Sequence, residues 1–82
     1  MAPIIVHVEY FASLRDKSGI SQESLVTGCA TPEDLYREVA ARHSFPPSRE
    51  SLSVAVNEQF AEWSCRLRDG DRVVFLTPFA GG

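Results

Sequence analysis

The chain has no C-x-x-C pair, no cluster of histidines and no run of basic residues. Cys29 and Cys65 stand far apart in 82 residues, which excludes a dithiol redox motif or a zinc knuckle. His7 and His43 are isolated in sequence, whereas a zinc site needs several convergent ligands. A net charge of −3 and a pI near 5.2 leave no clustered basic face for nucleic acid. No stretch approaches the roughly 20 apolar residues of a membrane span. Met1-Ala2-Pro3 lacks the basic and then apolar pattern of a signal peptide. The expected location is therefore the cytoplasm, where a disulfide does not persist, and the two cysteines read as buried or half-buried free thiols. P-loop, G-x-G-x-x-G and G-x-S-x-G patterns are missing too. A chain this poor in catalytic groups reads as a substrate, carrier or binding partner. No metal and no bound cofactor are expected.

What the chain does have is an apolar fraction of 44%, enough for one small domain that buries about 60–65% of its unfolded surface. It also has an unusual end, Pro78-Phe79-Ala80-Gly81-Gly82, directly after the apolar run Val73-Val74-Phe75-Leu76. Glycines carry no Cβ, so Gly81 and Gly82 can enter a slot too narrow for other residues. Five extended residues reach roughly 16 Å at about 3.3 Å each. The Gly82 carboxylate could thus be presented inside another protein. A frayed terminus without function is the competing reading.

Ile4 to Tyr10 alternates as a first strand, with Ile4, Val6, Val8 and Tyr10 on the core face and Phe11 in phase with the outer one. Phe11 to Gly19 reads as a connection with room for one helical turn. A second strand near Glu23–Thr27 pairs antiparallel with the first through that short loop. Thr31-Pro32-Glu33-Asp34 opens a helix: Thr31 as N-cap, Pro32 in the first turn, acids at the positive end of the dipole. It runs to about His43 on a stripe of Leu35, Tyr36, Val39 and Ala40. Glu33, Arg37, Glu38 and Arg42 make a solvated face with i,i+4 pairs. Pro46-Pro47 begins a loop to Ser51. Leu52 to Asn57 is a third strand, Asn57-Glu58 a turn, and Phe60 to Cys65 has room for a short edge strand. Leu67-Arg68-Asp69-Gly70-Asp71 is a tight turn feeding the strand Arg72–Thr77. That strand is apolar on both faces and belongs in the middle of the sheet. The expected fold is α+β: a β-grasp with a mixed sheet of four to five strands and one main helix on one face. The domain covers residues 1–77, and 78–82 form an extended tail.

Four segments now carry a resemblance: Tyr10-Phe11-Ala12-Ser13-Leu14-Arg15-Asp16, Ala55-Val56-Asn57, Leu67 to Phe75 with its Asp-Gly-Asp turn, and the terminal Pro78-Phe79-Ala80-Gly81-Gly82. In this order and spacing the chain resembles the small, sulfur-carrying subunit family of molybdopterin synthase, ubiquitin-like β-grasp proteins. The resemblance implies a mechanism. An E1-like enzyme uses ATP to adenylate the Gly82 carboxylate, and a sulfur donor converts the adenylate to a thiocarboxylate. The loaded tail, threaded by Gly81 and Ala80, then enters the large synthase subunit, in a heterotetramer, and supplies sulfur to a pterin precursor. It further implies that Phe11, Phe60, Leu76 and Phe79 dock partners, with Arg15 as a polar contact. Phe60 and Leu76 read equally well as core, and Arg15 as a surface charge. Thr77-Pro78-Phe79-Ala80 departs from the family's Pro-Pro-Val-small run, so a partner channel cut for Val would have to widen for Phe79.

Two other uses of such an end remain open. One is a sulfur carrier for thiazole, tRNA thiolation or cysteine synthesis. The other is a protein modifier, for which Lys17, the single lysine, makes varied polymeric linkage unlikely. A plain interaction domain would keep its function without Gly82.

Overall fold

The computed structural model describes residues 3–46 and 51–76. Strand β1 (Ile4–Tyr10) is followed by helix α1 (Ala12–Ser18), β2 (Gln22–Thr27), helix α2 (Pro32–His43), β3 (Ser53–Val56), β4 (Gln59–Ala61) and β5 (Arg72–Leu76). The strands form one sheet in the order β2-β1-β5-β3-β4. β1 pairs antiparallel with β2 and parallel with β5, while β3 pairs antiparallel with both β5 and β4. The last strand is central and beside the first, as its two apolar faces require, and the β-grasp expected from the sequence is the fold.

Alternation along β1 sends Val6, Val8 and Tyr10 inward, each at most 1% exposed. They meet Val54, Val73 and Phe75, and α2 covers them with Leu35, Tyr36, Val39 and Ala40. Full burial of one such aliphatic or aromatic side chain contributes about 1.5–3 kcal/mol. Thr31 caps α2 as expected: its Oγ1 accepts from Asp34 N at 3.2 Å. The helix stops at Ser44, whose left-handed conformation returns its N–H to Ala40 O. Tyr36 then donates its hydroxyl to Pro46 O at 2.5 Å, which ties the exit of α2 to the core.

The connection after β1 is more regular than its sequence suggests. It is a seven-residue helix, so a short α1 accompanies the one main helix α2. Leu14, 2% exposed, is the residue that fastens α1 to the core. Gly19 ends it in a left-handed turn with its N–H on Arg15 O. The entry is strained. Ala12 sits at φ 52°, a region that costs a non-glycine residue about 1–2 kcal/mol, and this bend turns the chain sharply after Phe11.

Asn57 (φ 52°) and Glu58 (φ 72°) form the β3–β4 hairpin turn, both left-handed as a type I′ turn demands. Asn suits the first position; Glu does not suit the second, where glycine is preferred. Glu58→Gly is therefore expected to stabilise the fold by about 0.5 kcal/mol, raising Tm by roughly 2–4 °C. Scanning calorimetry checks this; an unchanged or lower Tm would mean that the turn carries no strain. No helix among the described residues is long and apolar enough to cross a membrane.

Candidate functional site

The parallel pairing of Tyr10 with Phe75 brings the ends of β1 and β5 to the same edge of the sheet. The last described residue, Leu76, therefore ends a central strand. Val73 and Phe75 are wholly buried, so the alternate residues Val74 and Leu76 face away from α2; both are half-buried. Phe11 is extended (φ −128°, ψ 158°), which continues the alternation of β1 and places it on the same outer face next to Leu76. One register row back, Val74 pairs with Ala55, and Ala55 with Phe60. Phe11, Leu76, Val74 and Phe60 thus lie on one apolar face, turned away from α2, with the buried Ala55 between Val74 and Phe60 in the register. Phe11 is 44% and Phe60 79% exposed. Phe60 stands on the edge strand β4, outside the core. Apolar patches of this kind, with polar rims, mark interaction sites.

The rim is charged. Arg72 Nε lies 3.4 Å from Glu9 Oε2 and its Nη1 3.4 Å from Glu58 Oε2, exposed pairs worth at most about 1 kcal/mol. His7 Nδ1 is 2.8 Å from Ser24 Oγ, so His7 is not isolated in the fold. Arg72, Glu9, His7 and Ser24, together with Gln22 and Asn57, line an open groove of about 730 Å³. Arg15 is exposed on α1, the helix that starts beside Phe11. Gly82, Gly81, Ala80 and Phe79 lie outside the described residues, as does the boundary drawn between Thr77 and Pro78.

The mount of β5 is rigid. Asp71, 8% exposed, accepts from Arg68 N at 2.8 Å and from Asn57 Nδ2 at 2.9 Å. Asn57 Oδ1 accepts from Arg72 N at 3.0 Å, Asp69 Oδ1 accepts from Ile5 N at 2.8 Å, and Gly70 N donates to Ile5 O at 2.7 Å. The Asp-Gly-Asp turn has a structural role, which needs no further one. Asp71→Ala removes the acceptor for two donors, each costing about 1–3 kcal/mol when left unsatisfied in a buried place. Urea unfolding is expected to show a loss of about 2–3 kcal/mol; a loss under about half of that would remove Asp71 from the mount.

A second cluster had no place in the sequence reading. Glu23, from β2, points inward. Its Oε2 accepts from the Tyr10 hydroxyl at 2.5 Å and from His43 Nε2 at 2.6 Å, and Arg42 Nη1 is 3.8 Å from its Oε1. His43 is therefore tied to β2 and stacks edge-on to Tyr10, ring centroids 5.5 Å apart. Burial opposes ionisation of Glu23, but the bonds from Tyr10 and His43 and the nearby Arg42 outweigh it, so its carboxyl titrates below the usual 4.5. Burial, then the bond to Glu23, pushes the Tyr10 phenol far above its ordinary 10.0. The signal was available: Glu23 is in phase with Leu25 and Thr27, the inward residues of β2, opposite the basic end of α2. Cys29 and Cys65 are half-buried free thiols, and burial raises both. Among the described residues no His, Cys, Asp and Glu group is arranged to hold a metal ion.

Residues 8–82 match the ThiS family model. The chain belongs to the ThiS family. Among its relatives, a molybdopterin synthase sulfur carrier subunit of Chlamydomonas reinhardtii is 31% identical, the match covering 94% of this chain and 98% of the relative. The Escherichia coli protein of the same description is 30% identical over 95% and 100%. Of solved structures, SAMP1 of Haloferax volcanii superposes with a TM-score of 0.79 at 23% identity, over 95% and 99% of the two chains, which speaks for the fold alone. A chain of the Amycolatopsis orientalis BexX/CysO complex superposes with a TM-score of 0.68 at 25% identity, over 94% and 99%. In this ThiS-family chain the apolar face includes Leu76, the last described residue.

Proposed function

We propose that this protein is a sulfur carrier, the small subunit of molybdopterin synthase, and that the Gly82 carboxylate is its reactive group. The observation that carries the reading is the apolar face of Phe11, Val74, Leu76 and Phe60, turned away from α2, at the end of the last described strand. It gives a partner a fixed surface from which a short Gly-Gly end is aimed. Full-length likeness to two molybdopterin synthase sulfur carrier subunits supports the pathway. The Amycolatopsis neighbour, solved in a complex, supports a carrier that works bound to another subunit.

The chemistry follows from the poor reactivity of a free carboxylate. An E1-like enzyme with ATP converts Gly82 to an acyl-adenylate, and AMP is then the leaving group when a sulfur donor attacks, leaving a thiocarboxylate. The loaded carrier docks on the large synthase subunit through the same apolar face. That subunit supplies catalysis, in a heterotetramer of two small and two large chains. Two carriers in turn deliver two sulfurs to the pterin precursor. Phe11, Phe60, Leu76 and Phe79 make the contacts, Arg15 adds a polar one, and Ala80 and Gly81 thread the channel. The free thiols agree with a cytoplasmic protein.

The test is a reconstitution with the loaded carrier, the large subunit and the precursor. Discharge of sulfur with formation of the dithiolene product is the expected result. A loaded carrier that this subunit never discharges would send the sulfur to another acceptor and remove the molybdopterin assignment.

A further inference from the structure

Among the described residues, four other than glycine sit at positive φ: Ala12, Ser44, Asn57 and Glu58. Three have a local reason. Ser44 closes α2, and Asn57 and Glu58 form the two-residue hairpin turn. Ala12 has no such reason of its own. It is the first residue of α1, where a helix calls for φ near about −60°, and alanine is the best helix former, yet it stands at 52°. Its neighbours impose this. Tyr10 N donates to Ser21 O at 2.9 Å, which holds the end of β1 to the chain entering β2. Phe11 is still extended. On the far side, Leu14 N and Arg15 N both donate to Phe11 O, at 3.1 and 3.4 Å. Tyr10 and Leu14 are both anchored in the core, with Phe11 exposed between them. The whole change from strand to helix therefore falls on Ala12.

Glycine adopts such a φ without steric cost, whereas alanine loses stability by it. What the alanine Cβ adds is confinement. With a Cβ the left-handed well is small, about 20° wide in φ, while glycine ranges widely over positive φ. Play at this bend moves Phe11 against α1, and with it the ring beside Leu76. We infer that Ala12 is a positioning residue for partner docking: its Cβ confines the bend, and so fixes the Phe11 ring on the apolar face and α1, which carries Arg15, at its rim. This rests on the reading that Phe11 docks the large synthase subunit. A strained bend of this kind persists at a site where ordering a side chain beforehand lowers what binding must supply.

The test compares three full chains made by chemical synthesis, with segments joined at Cys29 and Cys65: the natural sequence, Ala12→Gly, and D-alanine in place of Ala12. D-alanine, the mirror image, favours positive φ, so it removes the strain and keeps a Cβ. Both variants are expected to melt no lower than the natural chain, with the D-alanine chain about 5 °C higher. Ala12→Gly is expected to bind the large subunit about fivefold more weakly, the cost of immobilising one side chain, and the D-alanine chain to bind at least as tightly as the natural one. A merely structural bend would move Tm alone. In the free protein, the NMR shift that the Phe11 ring imposes on the Leu76 methyl signals should shrink in Ala12→Gly and persist with D-alanine. Unchanged Leu76 signals in Ala12→Gly, or a D-alanine chain as loose as the glycine one, would overturn the proposal. So would native affinity in Ala12→Gly where Phe11→Ala binds weakly. Phe11→Ala also checks the reading beneath: if it binds with native affinity, Phe11 docks nothing and that reading fails, and the Leu76 signals alone decide whether Ala12 positions the ring.

Discussion

Phe60→Ala is expected to weaken binding to the large synthase subunit about 30-fold, equivalent to about 2 kcal/mol, with the fold untouched. Phe60 is 79% exposed on an edge strand of three residues, so truncation leaves no cavity, and Tm should hold within the shift of about 0.5 kcal/mol usual for surface changes. Its worth lies in the proposed complex, where an exposed aromatic that becomes desolvated carries a large share of the affinity. Phe75 gives the contrast. It is wholly buried, lies 5.4 Å from Tyr36 and 5.9 Å from Trp63 between ring centroids, and its loss should cost about 3–5 kcal/mol of stability. Titration calorimetry of Phe60→Ala with the large subunit, beside a thermal scan, separates the two effects. Native affinity in the variant would take Phe60 out of the docking surface; a fallen Tm would put it back in the core.

Glu23→Ala is expected to cost about 2–3 kcal/mol near neutral pH, because it strips the acceptor from Tyr10 Oη and from His43 Nε2 at once. The loss should depend on pH in a fixed direction. Folding lowers the Glu23 carboxyl below 4.5, so its contribution is present above that value and is lost as pH falls through the folded one. Wild type and variant should therefore converge in acid. The charged and titrating groups around it are Tyr10 and His43, in direct contact, with Arg42 and Glu38 beyond. At the other extreme, the Tyr10 phenol stays neutral in the fold well above 10.0. The unfolded chain ionises it there, so stability should fall as pH rises past about 10. Urea titrations at several pH values read both limbs. A gap between wild type and Glu23→Ala that stays constant into acid would show that the carboxylate charge contributes nothing.

Some of this architecture could be read from local pattern. β1 alternates cleanly, Thr31-Pro32 marks the start of α2, and a strand apolar on both faces has to be central. Phe11 follows from the phase of β1. Helix α1 resisted the same treatment for physical reasons. It has seven residues, no side-chain cap and no acid in its first turn; one buried leucine gives no periodicity, and the bend at Ala12 breaks the approach. Phe60 could not be assigned because a three-residue strand carries too little alternation to choose a face. Its exposure comes from the hairpin register, which sets Phe60 against Ala55. The cluster at Glu23 joins residues 13 and 20 positions apart, and only the inward phase of an acid on β2 hinted at it. The proposed role of Gly82 rests on the sequence alone, since Gly82 lies outside the described residues. The apolar face needed the sheet, because it is assembled from the end of β1, β5, β3 and β4 together.

The central claim, that Gly82 carries sulfur, is tested most directly by intact mass. The purified protein is incubated with an E1-like enzyme, ATP and a sulfur donor, beside a variant lacking Gly82. Exchange of one oxygen for one sulfur in the full chain, dependent on ATP and missing from the shortened variant, is the predicted result. An unchanged mass with an enzyme and donor that load another carrier, or the same gain in the variant without Gly82, would contradict it.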